Sequence, residues 1–355
     1  MSGPVLIMAG GTGGHIFPGL AVADVLRARR VPVVWLGAEG GMETRVVPEH
    51  GIELHTIAVG GLRGKGIRTR LGAPMMLARS LGASMSLMRT LRPRCVLSMG
   101  GYVAGPAGVA AWLARVPLLV HEQNGVAGFT NRMLSHVAGT VMSGFAGVLP
   151  HSDWVGNPVR ESIAALPEPP VRLAGREGRA RVLVLGGSLG ARALNQRVPA
   201  ALAMLPEDIR PDVLHQCGAR GVDEAREAYA QAGVQASVEP FIADMAAAYA
   251  WADLVVCRAG ALTVAELAAA GVASILVPFP HAVDDHQTRN GQALVAAGGA
   301  EMIQERDLDA SVLAGRIREL TGDRGRLLSM AVASRTLAKP DAAATIARHC
   351  MEVSA

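Results

Sequence analysis

The chain has 355 residues, half of them hydrophobic and 3% aromatic, with 42 glycines and a formal net charge of +4. That length suits two domains with separate cores, and an aromatic-poor, glycine-rich composition fits an α/β protein and excludes a disordered one. No apolar run of about 18 residues occurs, which excludes a spanning helix, and the four scattered cysteines, Cys95, Cys217, Cys257 and Cys350, suggest no zinc site and a reducing, cytoplasmic setting.

The first predicted strand, Val5–Ala9, has no basic region ahead of it and ends in glycines, so it reads as a strand and not as a signal peptide. It breaks into Gly10-Gly-Thr-Gly-Gly-His15 before a helical run starts at Ile16. Glycines between a buried strand and a helix let backbone N–H groups approach a polar ligand at the helix N-terminus. The dinucleotide fingerprint G-x-G-x-x-G fails: from Gly10 its second glycine falls on Thr12, and from Gly11 its third falls on Ile16. The phosphate loop G-x-x-x-x-G-K-S/T is absent from the sequence. His15 sets an ionisable imidazole at the loop tip as a base candidate; the alternative is a tight turn whose histidine bonds only locally.

Further strands are predicted at 33–36, 54–58, 95–99 and 118–121, with a short one at 140–142, and helical periodicity between them. This alternation implies a parallel, doubly wound sheet. From Leu54 to His121 there is no Asp or Glu, while Arg63, Lys65, Arg68, Arg70, Arg79, Arg89, Arg92, Arg94 and Arg115 crowd the same window. Leu71, Met75, Met76, Leu77, Leu81, Met85, Leu87 and Met88 lie among them. A basic amphipathic helix of this kind binds a membrane interface, each basic residue contributing about 1 kcal/mol near anionic lipid. The plainer reading is a crossover helix with its apolar side on the sheet and its arginines in water. Nucleic acid is disfavoured, because no aromatics are interleaved for stacking.

Prolines interrupt the pattern at Val155-Gly-Asn157-Pro158-Val-Arg160 and Leu166-Pro-Glu-Pro-Pro170. The strand-and-glycine-loop form then returns in Arg181-Val-Leu-Val-Leu-Gly186-Gly-Ser188-Leu-Gly190. Two similar domains are expected, 1–160 and 161–340, with a terminal helix over 341–355 packing back on the first. The second domain continues with strands at 212–216, 236–239, 254–257, 274–277 and 300–303; 291–299 and 316–339 read as helical scaffold. Ligands of such sheets sit at the carboxyl ends of the strands.

The segment 257–271 is the most specific. A strand stops at Cys257, Gly260 permits close approach, and a helix from Ala261 presents free N–H groups and about half a positive charge, which suits a diphosphate. Glu266, one turn in, is placed to accept ribose hydroxyls. The competing reading makes Thr263 and Glu266 a T-x-x-E capping box that only stabilises the helix.

In chain order, Gly10–His15, Gly61-Leu-Arg63-Gly-Lys65-Gly66, Met99-Gly-Gly-Tyr102, His121-Glu-Gln-Asn124, Val155–Arg160 and 257–271 resemble the MurG family of peptidoglycan transferases, within glycosyltransferase family 28. The resemblance spans essentially the whole chain. It implies the GT-B fold, α/β with two Rossmann-like doubly wound domains facing a central cleft. It also implies an inverting, single-displacement transfer of N-acetylglucosamine from UDP-GlcNAc to the C4 hydroxyl of MurNAc in undecaprenyl-diphosphate-MurNAc-pentapeptide (lipid I), giving lipid II. Carried over position by position, the donor site takes Thr12, Gly13, Gly14, Asn124, Arg160, Ser188, Ile242, Ala261, Leu262, Thr263, Val264, Ala265, Glu266 and Gln287. Uracil falls near Ile242, ribose at Glu266, and diphosphate near Ser188 and the Ala261 helix.

The acceptor diphosphate is expected at Gly14, Gly101 and Tyr102, with His15 as base and Glu122 as its support. Backbone N–H groups and Arg258 would stabilise departing UDP, so neither metal nor cofactor is required. The basic stretch becomes a membrane patch of Met75, Met76, Leu81, Met85 and Trp112 on the cytoplasmic face of the inner membrane, with cell-wall synthesis and division proteins as possible partners. Two rivals are a UDP-GlcNAc 2-epimerase-like enzyme, which has no need of the acid-free stretch, and a non-catalytic, membrane-associated UDP-sugar sensor, which has no need of His15 or the 121–124 segment.

Overall fold

The structure, a computed structural model, describes residues 3–59, 67–187 and 190–353, and of 67–73 the backbone only. The chain divides into two compact units, Met1–Val159 with Lys339–Ala355, and Arg160–Ala338. The first runs β1 (Val5–Ala9), α1 (Gly13–Ala28), β2 (Val33–Ala38), α2 (Glu43–Glu49), β3 (Glu53–Ile57), α3 (Ile67–Leu91), β4 (Cys95–Gly100), α4 (Ala104–Leu113), β5 (Leu118–Glu122), α5 (Phe129–Leu134), β6 (Thr140–Ser143) and β7 (Asp153–Trp154). The second opens with α6 (Glu161–Ala164), α7 (Pro169–Arg172), β8 (Arg181–Leu185), α8 (Arg192–Ala203), β9 (Asp212–Gln216), α9 (Val222–Gln231), β10 (Ser237–Glu239) and α10 (Met245–Trp251). It closes with β11 (Leu254–Cys257), α11 (Ala261–Ala270), β12 (Ala273–Leu276), α12 (His286–Ala296), β13 (Ala300–Met302), α13 (Ala310–Thr321) and α14 (Arg324–Arg335). The last helix, α15 (Ala342–Glu352), returns to the first unit and packs on α1.

Every strand pairing is parallel, in the orders β3-β2-β1-β4-β5-β6-β7 and β10-β9-β8-β11-β12-β13. Parallel sheets need cover on both faces, which explains why β1 is apolar without alternation and why β1, β4 and β5 are buried at every position, Ser98, His121 and Glu122 included. In β1, Val5, Ile7 and Ala9 pack with α1 and α15, whereas Leu6 and Met8 pack toward α3 and α4. Strand order reverses between β1 and β4 and again between β8 and β11. Those two switch points are where doubly wound sheets open toward ligands.

The strands agree closely with the periodicity, and the departures have local causes. β2 runs past the predicted 33–36 because Gly37 and Ala38 pair with Thr56 and Ile57. The two exposed residues of β7 have no hydrophobic pattern and are strand only by pairing beside β6. The scaffold at 316–339 breaks before α14, where the Asp323 carboxylate accepts from Arg326 N at 2.9 Å. The 61–66 motif and Ser188 lie outside the described residues.

Candidate active site

At the first switch point the loops after β1 and β4 touch. A Cβ on Gly101 would stand 2.4 Å from Gly10 O, and Gly101 holds φ +89°, so a side chain is refused on both counts. Thr12 is the N-cap of α1 and makes no side-chain cap, and the first turn has no acid among the described residues. The Gly13 and Gly14 N–H groups thus face outward at the positive end of the helix. His15 Nδ1 lies 3.2 Å from Gly10 O and 3.5 Å from Thr12 Oγ1. A carbonyl only accepts, so Nδ1 carries a proton and, in the neutral ring, Nε2 is the nitrogen with the lone pair. The ring lies over Gly100, where a Cβ would come 3.2 Å from His15 Nε2 and 3.3 Å from Asn131 Nδ2.

Asn131 is buried, donates to Glu122 Oε2 at 3.0 Å and to His121 O at 3.1 Å, and accepts from Ser98 Oγ at 2.9 Å. Glu122, also buried, receives Asn124 N, Asn124 Nδ2 and Gly128 N at 3.0–3.2 Å. It therefore shapes the turn that presents Asn124 and reaches the surroundings of His15 through Asn131. His121 is neutral: burial lowers its pKa to about 4, its Nε2–H donates to Gly156 O at 2.9 Å, and Gln123 donates to Nδ1 at 3.0 Å. Thr12, Gly14 and Tyr102 are exposed at the same strand end.

At the second switch point α11 begins after Gly260, which holds extended backbone with no side-chain cap. Thr263 is the third helical residue, so the capping-box reading is wrong, and among the described residues no side chain caps this helix N-terminus. Glu266 accepts from Arg160 Nη2 at 2.7 Å and from the Tyr249 hydroxyl at 3.1 Å. Tyr249 is fully buried, and burial together with the Glu266 charge raises its pKa well above the phenol value, so it remains a donor. Gln216 clasps the other glycine loop, accepting from Gly187 N at 3.0 Å and donating to Gly187 O at 3.2 Å. Gln287 accepts from Phe279 N at 2.9 Å, and Ile242 is half-buried beyond β10. Ala261 and Val264 are buried and offer backbone alone; Leu262, Thr263 and Ala265 are half-buried. Arg258 departs from expectation. Its guanidinium donates to Val277 O and Pro278 O at 3.2 Å and pairs with Glu305, so it is committed to structure.

The residues expected to meet a membrane differ in exposure, and Met76 is half-buried. Leu81 and Met85 are half-buried against the core beside buried Ser84 and Met88, because they share the inward face of α3. Met75 and Trp112 are exposed, as are Val109 and Leu113 of α4 and Phe129 and Met133 of α5. Glu43, Asn131, Gln216 and Tyr249 gave no local signal, since their partners are remote in sequence; Gly37 and Gly41 around Glu43 were the one available hint.

Residues 5–143 match the glycosyltransferase family 28 N-terminal domain and 181–346 its C-terminal domain. The chain is 61% identical over 344 residues to the UDP-N-acetylglucosamine--N-acetylmuramyl-(pentapeptide) pyrophosphoryl-undecaprenol N-acetylglucosamine transferase of Xanthomonas campestris pv. campestris (strain 8004), covering 97% of this chain and 80% of that one. It is 57% identical to the transferase of the same description from Alkalilimnicola ehrlichii, covering 99% of each. The crystal structure of Acinetobacter baumannii MurG superposes with a TM-score of 0.87 at 40% identity over 99% of both chains. The fold is thus of the GT-B class, and the chain belongs to glycosyltransferase family 28.

Proposed function

We propose that the chain transfers N-acetylglucosamine from UDP-GlcNAc to the C4 hydroxyl of MurNAc in lipid I, forming lipid II with inversion at the anomeric carbon. The near-full-length identity of 57–61% to transferases of that description carries this reading. The second unit is the donor domain: the open N-terminus of α11 receives the diphosphate and Glu266 the ribose. The first unit is the acceptor domain, with the lipid diphosphate at Gly14, Gly101 and Tyr102.

His15 Nε2 takes the proton of the C4 hydroxyl as that oxygen attacks the anomeric carbon. The bond from that carbon to the diphosphate oxygen breaks, and its electron pair leaves with UDP, whose charge the α11 N–H groups stabilise. Among the described residues no helix is long and apolar enough to cross a membrane. The exposed apolar residues of α3, α4 and α5, with the acid-free stretch, support peripheral docking on the cytoplasmic face of the inner membrane.

The test is transfer of radiolabelled GlcNAc to a short-chain lipid I analogue. Lipid II product, a loss of at least about 100-fold in His15→Ala, and a raised donor KM in Glu266→Ala are expected. Free or epimerised sugar without lipid II would replace this reading with the epimerase, and donor binding without turnover would replace it with the sensor.

A further inference from the structure

Glu43, the first residue of α2, is fully buried and is not used by the chemistry above. Its carboxylate accepts from Ala38 N at 2.8 Å and from Gly11 N at 3.2 Å. Three glycines make room for it: a Cβ on Gly10 would fall 2.4 Å from Oε1, on Gly37 2.5 Å from Cγ, and on Gly41 2.4 Å from Oε2. A carboxylate is costly to bury and persists only where donors receive it. One of these donors belongs to the loop that carries His15. Gly11 N–H and Gly10 C=O are the two ends of a single planar peptide. Glu43 holds the N–H end, and the carbonyl end faces His15 Nδ1 at 3.2 Å.

We propose that Glu43 is a positioning residue for His15, acting through the 10–11 peptide to orient the imidazole and to stabilise it once protonated. An anion on the N–H end polarises the amide and enriches its carbonyl oxygen in charge, since hydrogen bonds in a chain reinforce one another. That oxygen keeps the proton on Nδ1 and leaves Nε2 to receive the hydroxyl proton of the acceptor. The arrangement is that of a carboxylate-oriented catalytic histidine with one peptide inserted between the two. It also opposes the N-terminus of α1, whose partial positive charge disfavours an imidazolium.

Among the described residues, the other titratable groups near this strand end include Glu122, which acts through Asn131, Tyr102 on the β4–α4 turn, and the neutral His121. The inference rests on the reading of His15 as base, and its test is separable from that reading.

Glu43→Gln removes the charge with little change of shape. NMR titration of labelled histidine in the free enzyme is expected to show the His15 pKa lower by about one pH unit than in wild type. The acidic limb of kcat/KM moves with it, and kcat falls by about tenfold or more while both KM values stay within about twofold. Glu43→Asp, which keeps the charge, is expected to titrate close to wild type. An unmoved His15 titration in Glu43→Gln overturns the proposal, as does an equal fall in both variants, which would assign the effect to packing. Wild-type protein gives an independent reading should a variant fail to fold: an Nε2–H tautomer at His15 also overturns the proposal. These titrations are made without turnover, so they stand apart from the His15→Ala assay that tests the base itself.

Discussion

His121 and His215 are each buried inside one of the two units, and burial lowers both from 6.5 to about 4. His121 already donates from Nε2 and accepts at Nδ1, so a second proton would meet the Gln123 amide. His215 shares Nδ1 with the Tyr229 hydroxyl at 3.0 Å, and its Nε2 is buried without a protein partner among the described residues. Both folded-state values lie below the unfolded one, so the unfolded chain binds protons first as pH falls. Their contribution to stability is complete above about pH 6.5 and is lost as pH falls toward 4. At pH 5 each unit should be less stable by about 2 kcal/mol than at pH 7.5, read by urea unfolding at the two values. Equal stability at both would contradict the burial argument. These roles were invisible in the sequence for a shared reason. A lone His, Glu or Gln becomes informative only when the fold supplies a partner, and Glu43 and Gly11 are 32 positions apart, as Gln216 and Gly187 are 29. Glycine loops announce themselves because the residue type itself states the backbone requirement.

The loops act as elements, and their glycines are of two kinds. Gly101 combines φ +89° with a Cβ position 2.4 Å from Gly10 O, whereas Gly233 has φ +63° and nothing within 4 Å. Gly233→Ala should therefore cost only backbone strain, about 1 kcal/mol, with transfer unchanged. Gly101→Ala must also push the Gly10 carbonyl away from His15 Nδ1. Differential scanning calorimetry should show the larger drop in Tm for Gly101→Ala, and the transfer assay a loss of about tenfold or more for that variant alone. Similar turnover in both would mean that the contact between the β1 and β4 loops does not position His15 for transfer. The strands around these loops were legible because each is a continuous apolar run between glycines. The start of α11 was ambiguous, since T-x-x-E fits both a capping box and the interior of a first turn. Only the placement of Gly260 as N-cap decides between them.

Over the whole molecule, the acid-free stretch from Leu54 to His121 falls entirely within the first unit, so its charge and its exposed apolar residues act together. α4 buries Ala104, Ala107, Ala110 and Ala111 on one side and still exposes Val109, Trp112 and Leu113 on the other. A helix that needs only to cover a sheet has no use for a second apolar face. Arg79 and Arg89 on α3, Arg92 just after it, Arg115 after α4 and Arg132 on α5 are all exposed, so the same three helices also carry positive charge. On the proposal that this face docks on a membrane, its binding to anionic lipid has two separable contributions: a Coulombic one that weakens with salt over about a 10 Å Debye length at 0.1 M, and an apolar one that does not. Sedimentation with vesicles should therefore show binding to anionic bilayers that falls steeply as salt rises, and little binding to zwitterionic ones. The double variant Met75→Ser, Trp112→Ser should weaken binding at every salt concentration while leaving affinity for UDP-GlcNAc unchanged. Binding that ignores both lipid charge and these two side chains would remove the α3–α4–α5 face from the account and leave its exposed tryptophan unexplained.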